Sequence, residues 1–159
     1  MSLFSLPPIP EIPVNGESDG YAVRRIFCVG RNYADHALEM GHQPDLEAPF
    51  YFTKAPAHLC LSGASVPYAP GTQDFHHEME LVVALGAPVF RGDRDTAQAA
   101  VYGYAAGLDM TRRDRQRDGK DKRRPWDLGK DFEDAAVIGP ITKAGDFGKV
   151  AKQEITLIV

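Results

Sequence analysis

Three carboxylates in this chain have the spacing expected of ligands for a hard divalent metal. Glu78 and Glu80 lie two residues apart at the start of an apolar run, and Asp109 ends a second apolar run. If residues 78–85 form a strand, the two glutamates share one face of it. On a buried face they would repel each other and lose hydration unless a cation lay between them. Oxygen-only ligands favour Mg²⁺, Mn²⁺ or Ca²⁺ over Zn²⁺.

These glutamates also permit a simpler interpretation, in which a solvent-exposed strand start pairs with some of the many arginines. The same choice between a ligand-binding role and a surface ion pair applies to a lysine later in the chain. Lys130 comes directly after Gly129, where backbone and side chain can approach a ligand closely. Ion pairing at the surface is the alternative for this lysine.

A histidine and a glutamate have the spacing needed to activate water. His36 and Glu39 are three residues apart on a helix predicted over residues 33–40. Asn32 is suited to cap the start of this helix, and Gly41 is suited to end it. Residues three apart are neighbours on one helix face, and a carboxylate beside an imidazole raises its basicity. A surface His–Glu pair without a catalytic role is the alternative.

Residues 112–124 are densely basic, with eight lysines and arginines against three aspartates. We predict that they open with a short helix, capped by Thr111 and carrying Arg113 and Gln116. A solvated face is one interpretation of this segment. A lid whose arginines capture an anionic substrate is another. Nucleic-acid binding has no interleaved aromatic residues to support it.

The remaining pattern predicts a mainly β domain with small helices. Residues 25–30 and 50–54 form β-like runs, the second of which ends at Lys54. The proline-rich residues 1–20 predict an extended N-terminal arm outside the core. A single domain is predicted over residues 21–159, and its final residues 154–159 form a strand pattern that is apolar on both faces. We therefore expect the functional polypeptide to extend beyond this strand.

Length, net charge and cysteine content exclude several classes of protein. The chain has 159 residues, a net charge of −4 and two cysteines. This size suits one domain with a real core, and this charge disfavours nucleic acid or an anionic membrane as a partner. No apolar run has the length of a membrane span, and the start lacks a signal-peptide pattern, so we expect a cytoplasmic protein. Cys28 is expected to fill the core, because no Cys-x-x-Cys spacing suggests metal or redox chemistry.

Several motifs in this order resemble the fumarylacetoacetate hydrolase family, and most closely its small single-domain members, the acylpyruvate and fumarylpyruvate hydrolases. The resemblance runs from about Arg24 to the last residue. The motifs occupy residues 28–36, 76–81, 108–114, 125–126 and 129–130.

The resemblance implies roles for individual residues. The family's metal ligands for Mg²⁺ or Mn²⁺ correspond to Glu78, Glu80 and Asp109. Its water-activating dyad corresponds to His36 and Glu39, and its lysine near the metal corresponds to Lys130. Further positions are expected to hold substrate. They are Arg31, Lys54, Arg113 and Gln116.

The resemblance also implies an α+β, mainly β fold, a mixed β-sheet roll or sandwich with short helices. The implied activity is metal-dependent cleavage of a carbon–carbon bond in a 2,4-diketo acid, which yields pyruvate and a second acid. Such an enzyme would serve aromatic-compound catabolism and would form a homodimer. Family members continue past the final strand pattern seen here. The alternatives are an oxaloacetate decarboxylase, a keto–enol isomerase or hydratase, and a non-catalytic truncated binding fragment.

Overall fold

The computed structural model describes residues 3–30, 32 and 49–158 of the chain. The helix predicted over residues 33–40 lies outside these residues, and so do Arg31, His36 and Glu39. Within the described ranges, no helix combines the length and the apolar character that crossing a membrane requires.

The described elements are mainly strands with a few short helices, as the sequence predicts. The strands are β1 (Glu11–Ile12), β2 (Tyr21–Ala22), β3 (Ile26–Val29), β4 (Tyr51–Lys54), β5 (Leu59–Leu61), β6 (Phe75–Leu85), β7 (Val101–Arg112), β8 (Ala136–Ile138) and β9 (Thr142–Lys143). The helices are α1 (Arg94–Ala99), α2 (Arg113–Asp121), α3 (Asp127–Lys130) and α4 (Ala144–Phe147), and a 3₁₀ turn (Pro56–His58) follows β4.

A long antiparallel pair, β6 with β7, forms the centre of the main sheet. Its strand order is β5-β8-β7-β6, with β9 pairing to β7 as well. β5 and β8 run parallel, whereas β7 is antiparallel to β6, β8 and β9. β1 pairs with β2, and β3 pairs with β4, each antiparallel.

Apolar side chains cover both faces of this central pair, which explains why two long strands form here. One cluster includes Ala84 and Ala105 and packs on Ile141, which is 0% exposed. A second cluster on the opposite face includes Met110 and Val137. The predicted strand over residues 78–85 is therefore confirmed, and the two clusters hold its register.

The N-terminal residues are not wholly outside the core. Ile12 and Val14 are buried in the cluster that contains Ile141, because β1 pairs with β2 and Val14 forms a parallel bridge to Ile141. The predicted separation of residues 1–20 from the core is therefore wrong from Ile12 onward, although the prolines do keep residues 5–10 out of regular structure.

The strand predicted over residues 154–159 is not observed over residues 154–158, which the structure describes. Residues 154–158 adopt no regular secondary structure, and Ile158 is 90% exposed. A strand requires a hydrogen-bonded neighbour, and none of the strands described in this structure pairs with these residues.

Candidate active site

The β6–β7 register brings two of the predicted carboxylates together. Glu78 lies directly opposite Asp109, and Glu80 lies opposite Gly107. Directly opposed residues of an antiparallel pair share a face, so all three carboxylates lie on one side of the sheet. Like charges in directly opposed positions destabilise a sheet unless a cation compensates them.

Lys130, the last residue of α3, supplies that compensation. Its Nζ lies 2.5 Å from Glu78 Oε2, 2.6 Å from Asp109 Oδ2 and 2.8 Å from Thr111 Oγ1. These three contacts use all three donors of the ammonium group. With 2% exposure, Lys130 belongs to a buried charge cluster, and the alternative of a surface ion pair is wrong for it.

A second buried lysine approaches Asp109 from the end of β4. Lys54 is 3% exposed, and its Nζ lies 2.8 Å from Asp109 Oδ1. It donates to the carbonyl oxygen of Met110 at 3.1 Å and to that of Lys130. Burial lowers the pKa of Lys54, and the neighbouring Asp109 carboxylate opposes this shift.

One buried oxygen of this cluster has unused hydrogen-bonding capacity. The Lys54 ammonium approaches Asp109 Oδ1 as an ion pair, but no described residue donates a well-directed hydrogen bond to this atom. A buried carboxylate oxygen without a hydrogen bond is costly in a protein. Asp109 therefore has a lone pair available for a cation.

Arg113 and Gln116 extend the cluster from the first turn of α2. The Arg113 guanidinium donates to Glu78 Oε1, and it donates to Gln116 Oε1 at 2.7 Å. Burial alone would raise the pKa of Glu78, but Lys130 and Arg113 outweigh it and lower that pKa to about 2. The structure thus brings two of the predicted substrate residues, Arg113 and Gln116, to the carboxylates, where Arg113 contacts both Glu78 and Gln116.

Two close contacts place these helices over the sheet. Asp114 accepts hydrogen bonds from Thr72 Oγ1 at 2.5 Å and from the Gln73 amide at 3.1 Å, which ties α2 to the loop before β6. Gly129 lets α3 approach α2, because an added Cβ would lie 2.7 Å from the Gln116 amide nitrogen. This glycine therefore serves helix packing rather than a ligand.

The structure adds Thr111 to the site, although the sequence pattern predicts it as a helix cap. Thr111 lies within β7, is 0% exposed, and its Oγ1 donates to the Asp109 carbonyl and accepts from Lys130. The N-cap position of α2 is Arg112, which makes no side-chain cap. Strand periodicity could have revealed this role, since residues two apart share a face.

Cys28 is half-buried near the cluster, where its surroundings disfavour the thiolate. Burial raises its pKa to about 12, and the Asp109 carboxylate adds to the shift. A thiol with this pKa stays protonated near neutral pH. The structure places Cys28 at intermediate exposure rather than among the buried residues of either apolar cluster, so the expectation that it fills the core is met only in part.

The basic segment forms helix α2 over Arg113–Asp121, and most of its cationic side chains are exposed to solvent, as the interpretation of a solvated face expects. The Arg117 guanidinium lies 2.8 Å from Asp74, and the Arg115 Nε donates to the Gly71 carbonyl at 2.6 Å. Lys122 pairs with Asp118 one turn earlier. Its role as a lid stays a prediction.

The carboxylates of Glu78, Glu80 and Asp109 are suitable ligands for a divalent metal, but in this structure they do not converge into a coordination shell. Within residues 3–30, 32 and 49–158, no three His, Cys, Asp or Glu side chains converge closely enough to hold an ion. The ammonium groups of Lys54 and Lys130 lie against Asp109 instead. Hard carboxylate oxygens, one of them lacking a hydrogen bond, are nevertheless the donors that Mg²⁺ and Mn²⁺ prefer.

Comparison with known proteins identifies the family to which this chain belongs. The family model described as "Fumarylacetoacetate (FAA) hydrolase C-terminal" matches residues 25–159. The chain belongs to the fumarylacetoacetate hydrolase family. The family predicted from the sequence motifs is therefore confirmed.

Individual relatives agree with this membership. A fumarylpyruvate hydrolase of Ralstonia sp. is 55% identical over 104 residues, which are 64% of this chain and 54% of that protein. A mitochondrial oxaloacetate tautomerase of Caenorhabditis elegans is 37% identical over 122 residues, which are 77% of this chain and 56% of that protein. The chain thus spans little more than half the length of these relatives.

A solved structure supports the fold. The fumarylpyruvate hydrolase of Pseudomonas aeruginosa, in complex with Mn²⁺ and pyruvate, matches with a TM-score of 0.87 and 39% identity. The match covers 93% of this chain and 65% of that one. The predicted fold class is therefore confirmed.

Proposed function

We propose that the protein is a divalent-metal-dependent hydrolase that cleaves a carbon–carbon bond in a 2,4-diketo acid, giving pyruvate and a second carboxylic acid. The observation that carries the proposal is the directly opposed Glu78–Asp109 pair, with the buried Lys130 ammonium against both carboxylates. The 55% identity to the Ralstonia fumarylpyruvate hydrolase supports it. The Mn²⁺ and pyruvate bound to the Pseudomonas relative suggest the metal and one product.

Glu78, Glu80 and Asp109 would hold the metal, with Mg²⁺ or Mn²⁺ as the ion. When bound, such an ion would polarise the 2-keto carbonyl and offset negative charge that develops on its oxygen. Lys130 and Arg113, which now neutralise these carboxylates, would then be available to the substrate. Arg113 with Gln116 would hold a carboxylate, because a guanidinium matches it in bidentate fashion.

His36 is the proposed base, and Glu39 would orient its ring. His36 would take a proton from water while the water oxygen bonds to the distal carbonyl carbon of the substrate. The bond between that carbon and the central methylene would then break, and its electron pair would pass to the pyruvate enolate. Lys130 would stabilise the negative charge on oxygen, and a proton returned to the enolate carbon would complete pyruvate.

An oxaloacetate tautomerase or decarboxylase is the second candidate. The relationship to the Caenorhabditis oxaloacetate tautomerase favours it. Both reactions pass through an enolate of a 2-keto acid, so the same cations would serve, whereas an attacking water would not be needed. Homodimer formation, a cytoplasmic location and a role in aromatic catabolism remain predictions.

Metal removal and return test the proposed metal. Exhaustive chelation should abolish cleavage of fumarylpyruvate, and Mg²⁺ or Mn²⁺ should restore it. The variant Glu80→Gln should need more metal for half-maximal activity, whereas Glu133→Gln, which alters a glutamate away from the metal ligands, should not. Full turnover by the chelated protein would contradict the proposal.

Two substrates separate the hydrolase from the second candidate. The variant His36→Ala should lose acylpyruvate cleavage, which needs activated water, and retain more of any oxaloacetate activity. Equal loss of both activities in a folded variant would contradict the role of His36 as the water-activating base. The hypothesis of a non-catalytic binding fragment predicts no turnover of either substrate by residues 1–159.

A further inference from the structure

We propose that Thr111 is a positioning residue for the reaction, because its hydroxyl fixes the direction in which the Lys130 ammonium points. This inference rests on the proposed function, in which Lys130 stabilises negative charge on oxygen, and it assigns a role to a residue that acts through that lysine. The contact that carries it joins Lys130 Nζ to Thr111 Oγ1 at 2.8 Å. Both side chains are buried, at 2% and 0% exposure.

The chemistry of the two groups fixes the direction of this hydrogen bond. An ammonium group has three donors and no acceptor, so Thr111 must accept from Lys130. The hydroxyl has one hydrogen, which it donates to the Asp109 carbonyl oxygen at 3.0 Å. That donation leaves the oxygen lone pairs for Lys130. The hydroxyl is therefore oriented by the backbone of its own strand before it meets the lysine.

Thr111 is held more rigidly than Glu78, which also accepts from Lys130. It lies within β7, the strand that pairs with β6, β8 and β9. A β-branched side chain has few accessible χ1 rotamers, and the bond to the Asp109 carbonyl selects one of them. The carboxylate of Glu78 is carried on a longer side chain that is 21% exposed. Thr111 is thus the partner whose acceptor atom the sheet itself places.

Thr111 also differs from the two carboxylates in charge. Glu78 and Asp109 lie against Lys130 as ion pairs and offset its positive charge. A hydroxyl directs the ammonium and leaves that charge available to an oxygen of the substrate. Glu78 and Asp109 are also proposed metal ligands, whereas Thr111 is not. The Thr111 contact therefore does not compete with the role proposed for the carboxylates.

The side chain of Lys130 needs such a contact because its other neighbours do not direct it. The Lys130 amide donates to the Trp126 carbonyl at 2.9 Å, and its carbonyl accepts from Lys54. These bonds hold the backbone and leave the side-chain torsions free. The Phe52 ring lies with its centre 5.0 Å from Nζ, and it attracts the charge without fixing the donors. A directed neutral acceptor is what Thr111 adds.

Two substitutions at Thr111 test the proposal. Thr111→Val keeps the β-branched shape and removes the hydroxyl, whereas Thr111→Ser keeps the hydroxyl. In Thr111→Val, kcat for fumarylpyruvate cleavage should fall about 10- to 100-fold, the range for a hydrogen bond to a charged group. KM should stay within about twofold, because the lost interaction acts on charge that develops in the transition state. Thr111→Ser should keep kcat within about fivefold of the original.

The control removes a hydroxyl acceptor elsewhere in the same sheet. Thr142 lies on β9, and its Oγ1 accepts from Asn15 at 3.1 Å. Thr142→Val should leave kcat within about twofold, since this contact is separate from the carboxylates. Urea titration of each variant separates lost stability from lost activity. Equal loss of kcat in Thr111→Ser and Thr111→Val, or a raised KM with unchanged kcat, would overturn the positioning role.

A measurement without turnover distinguishes this inference from the proposed function. In protein labelled with ¹⁵N at lysine, NMR should detect the Lys130 ammonium through slow hydrogen exchange, and the signal is assigned by its loss in Lys130→Met. Thr111→Val should speed that exchange at least about tenfold, and Thr111→Ser should not. Unchanged exchange in Thr111→Val would overturn the inference whatever the activity. Faster exchange in a protein that turns over no diketo acid would support the Thr111–Lys130 contact and reject the proposed reaction.

Discussion

The β6–β7 pair has a charged half and an apolar half on the same face. At one end Glu78 opposes Asp109, and four residues along each strand Val82 opposes Ala105. The charged half holds a lysine ammonium against two carboxylates, whereas the apolar half packs on Ile141. Backbone geometry and register are shared, so side-chain chemistry alone separates the two halves.

This difference shows how apolar packing elsewhere in the fold offsets the free-energy cost of burying the charged site. Buried ion clusters repay their desolvation poorly, while apolar burial is the main stabilising term in folding. Slippage of the pair by one residue would turn the apolar half away from its core. The apolar half therefore holds the register that keeps Glu78 and Asp109 opposed.

The largest expected effect comes from the charged half. Lys130→Met should lower kcat for the proposed reaction by about 100- to 1000-fold, as when a group that stabilises developing negative charge is removed. Steady-state kinetics on the folded variant measure this. Lys122→Met, at an exposed lysine that pairs with Asp118, provides the control. Activity within a few-fold of the original would show that Lys130 is structural only.

The apolar half should respond in stability rather than activity. Ile141→Ala leaves a cavity at a fully buried position and should lower the free energy of unfolding by about 2–5 kcal/mol. Denaturant titration measures the loss, and Ile141→Val should cost only about 0.5–1.5 kcal/mol. Activity per folded molecule should stay near the original value. A large loss of kcat would mean that the two halves are not separable.

Acid should weaken the charged half before the apolar half. Lys130 and Arg113 outweigh burial and lower the pKa of Glu78 from an ordinary 4.5 to about 2. Because the folded pKa lies below the unfolded one, this stabilisation is present above pH 4.5 and is lost as pH falls toward 2. Melting temperatures over this range should decline less steeply for Glu78→Gln. Parallel declines would show that Glu78 does not couple to folding.

The smallest effect is expected at a contact that joins the two lysine-bearing segments. Asp131 Oδ1 accepts from the Ala55 amide at 2.8 Å and lies 2.7 Å from His58 Nδ1. It thereby links the residues that follow Lys54 and Lys130. Asp131→Asn should cost about 1 kcal/mol of stability and reduce kcat only a few-fold. Unchanged kcat with reduced stability would indicate that the contact does not position the lysines.

Local sequence signals predicted much of the fold. Short apolar and β-branched runs located β6, β3 and β4 but not the pairing of β3 with β4, because a strand's period of two is visible in neighbouring residues while its partner is not. The shared face of Glu78 and Glu80 follows from the same period. The predictions over residues 1–20 and 154–159 failed where packing decided, since Ile12 enters the core and Ile158 is exposed.

Residue types and spacing alone thus predicted the shared face of Glu78 and Glu80 and a hard-metal site, while the resemblance of the motifs to a known family supplied the family and the candidate reaction. Tertiary structure decided which cations meet those carboxylates. Lys130 contacts Glu78 across 52 positions of sequence, and Lys54 lies against Asp109 from a separate strand pair. No local period encodes such contacts, because they depend on strand register and on the packing that Gly129 allows. The contact of Thr111 with Lys130 has the same origin, because strand periodicity places Thr111 on the face of Asp109 but does not show that α3 covers this face.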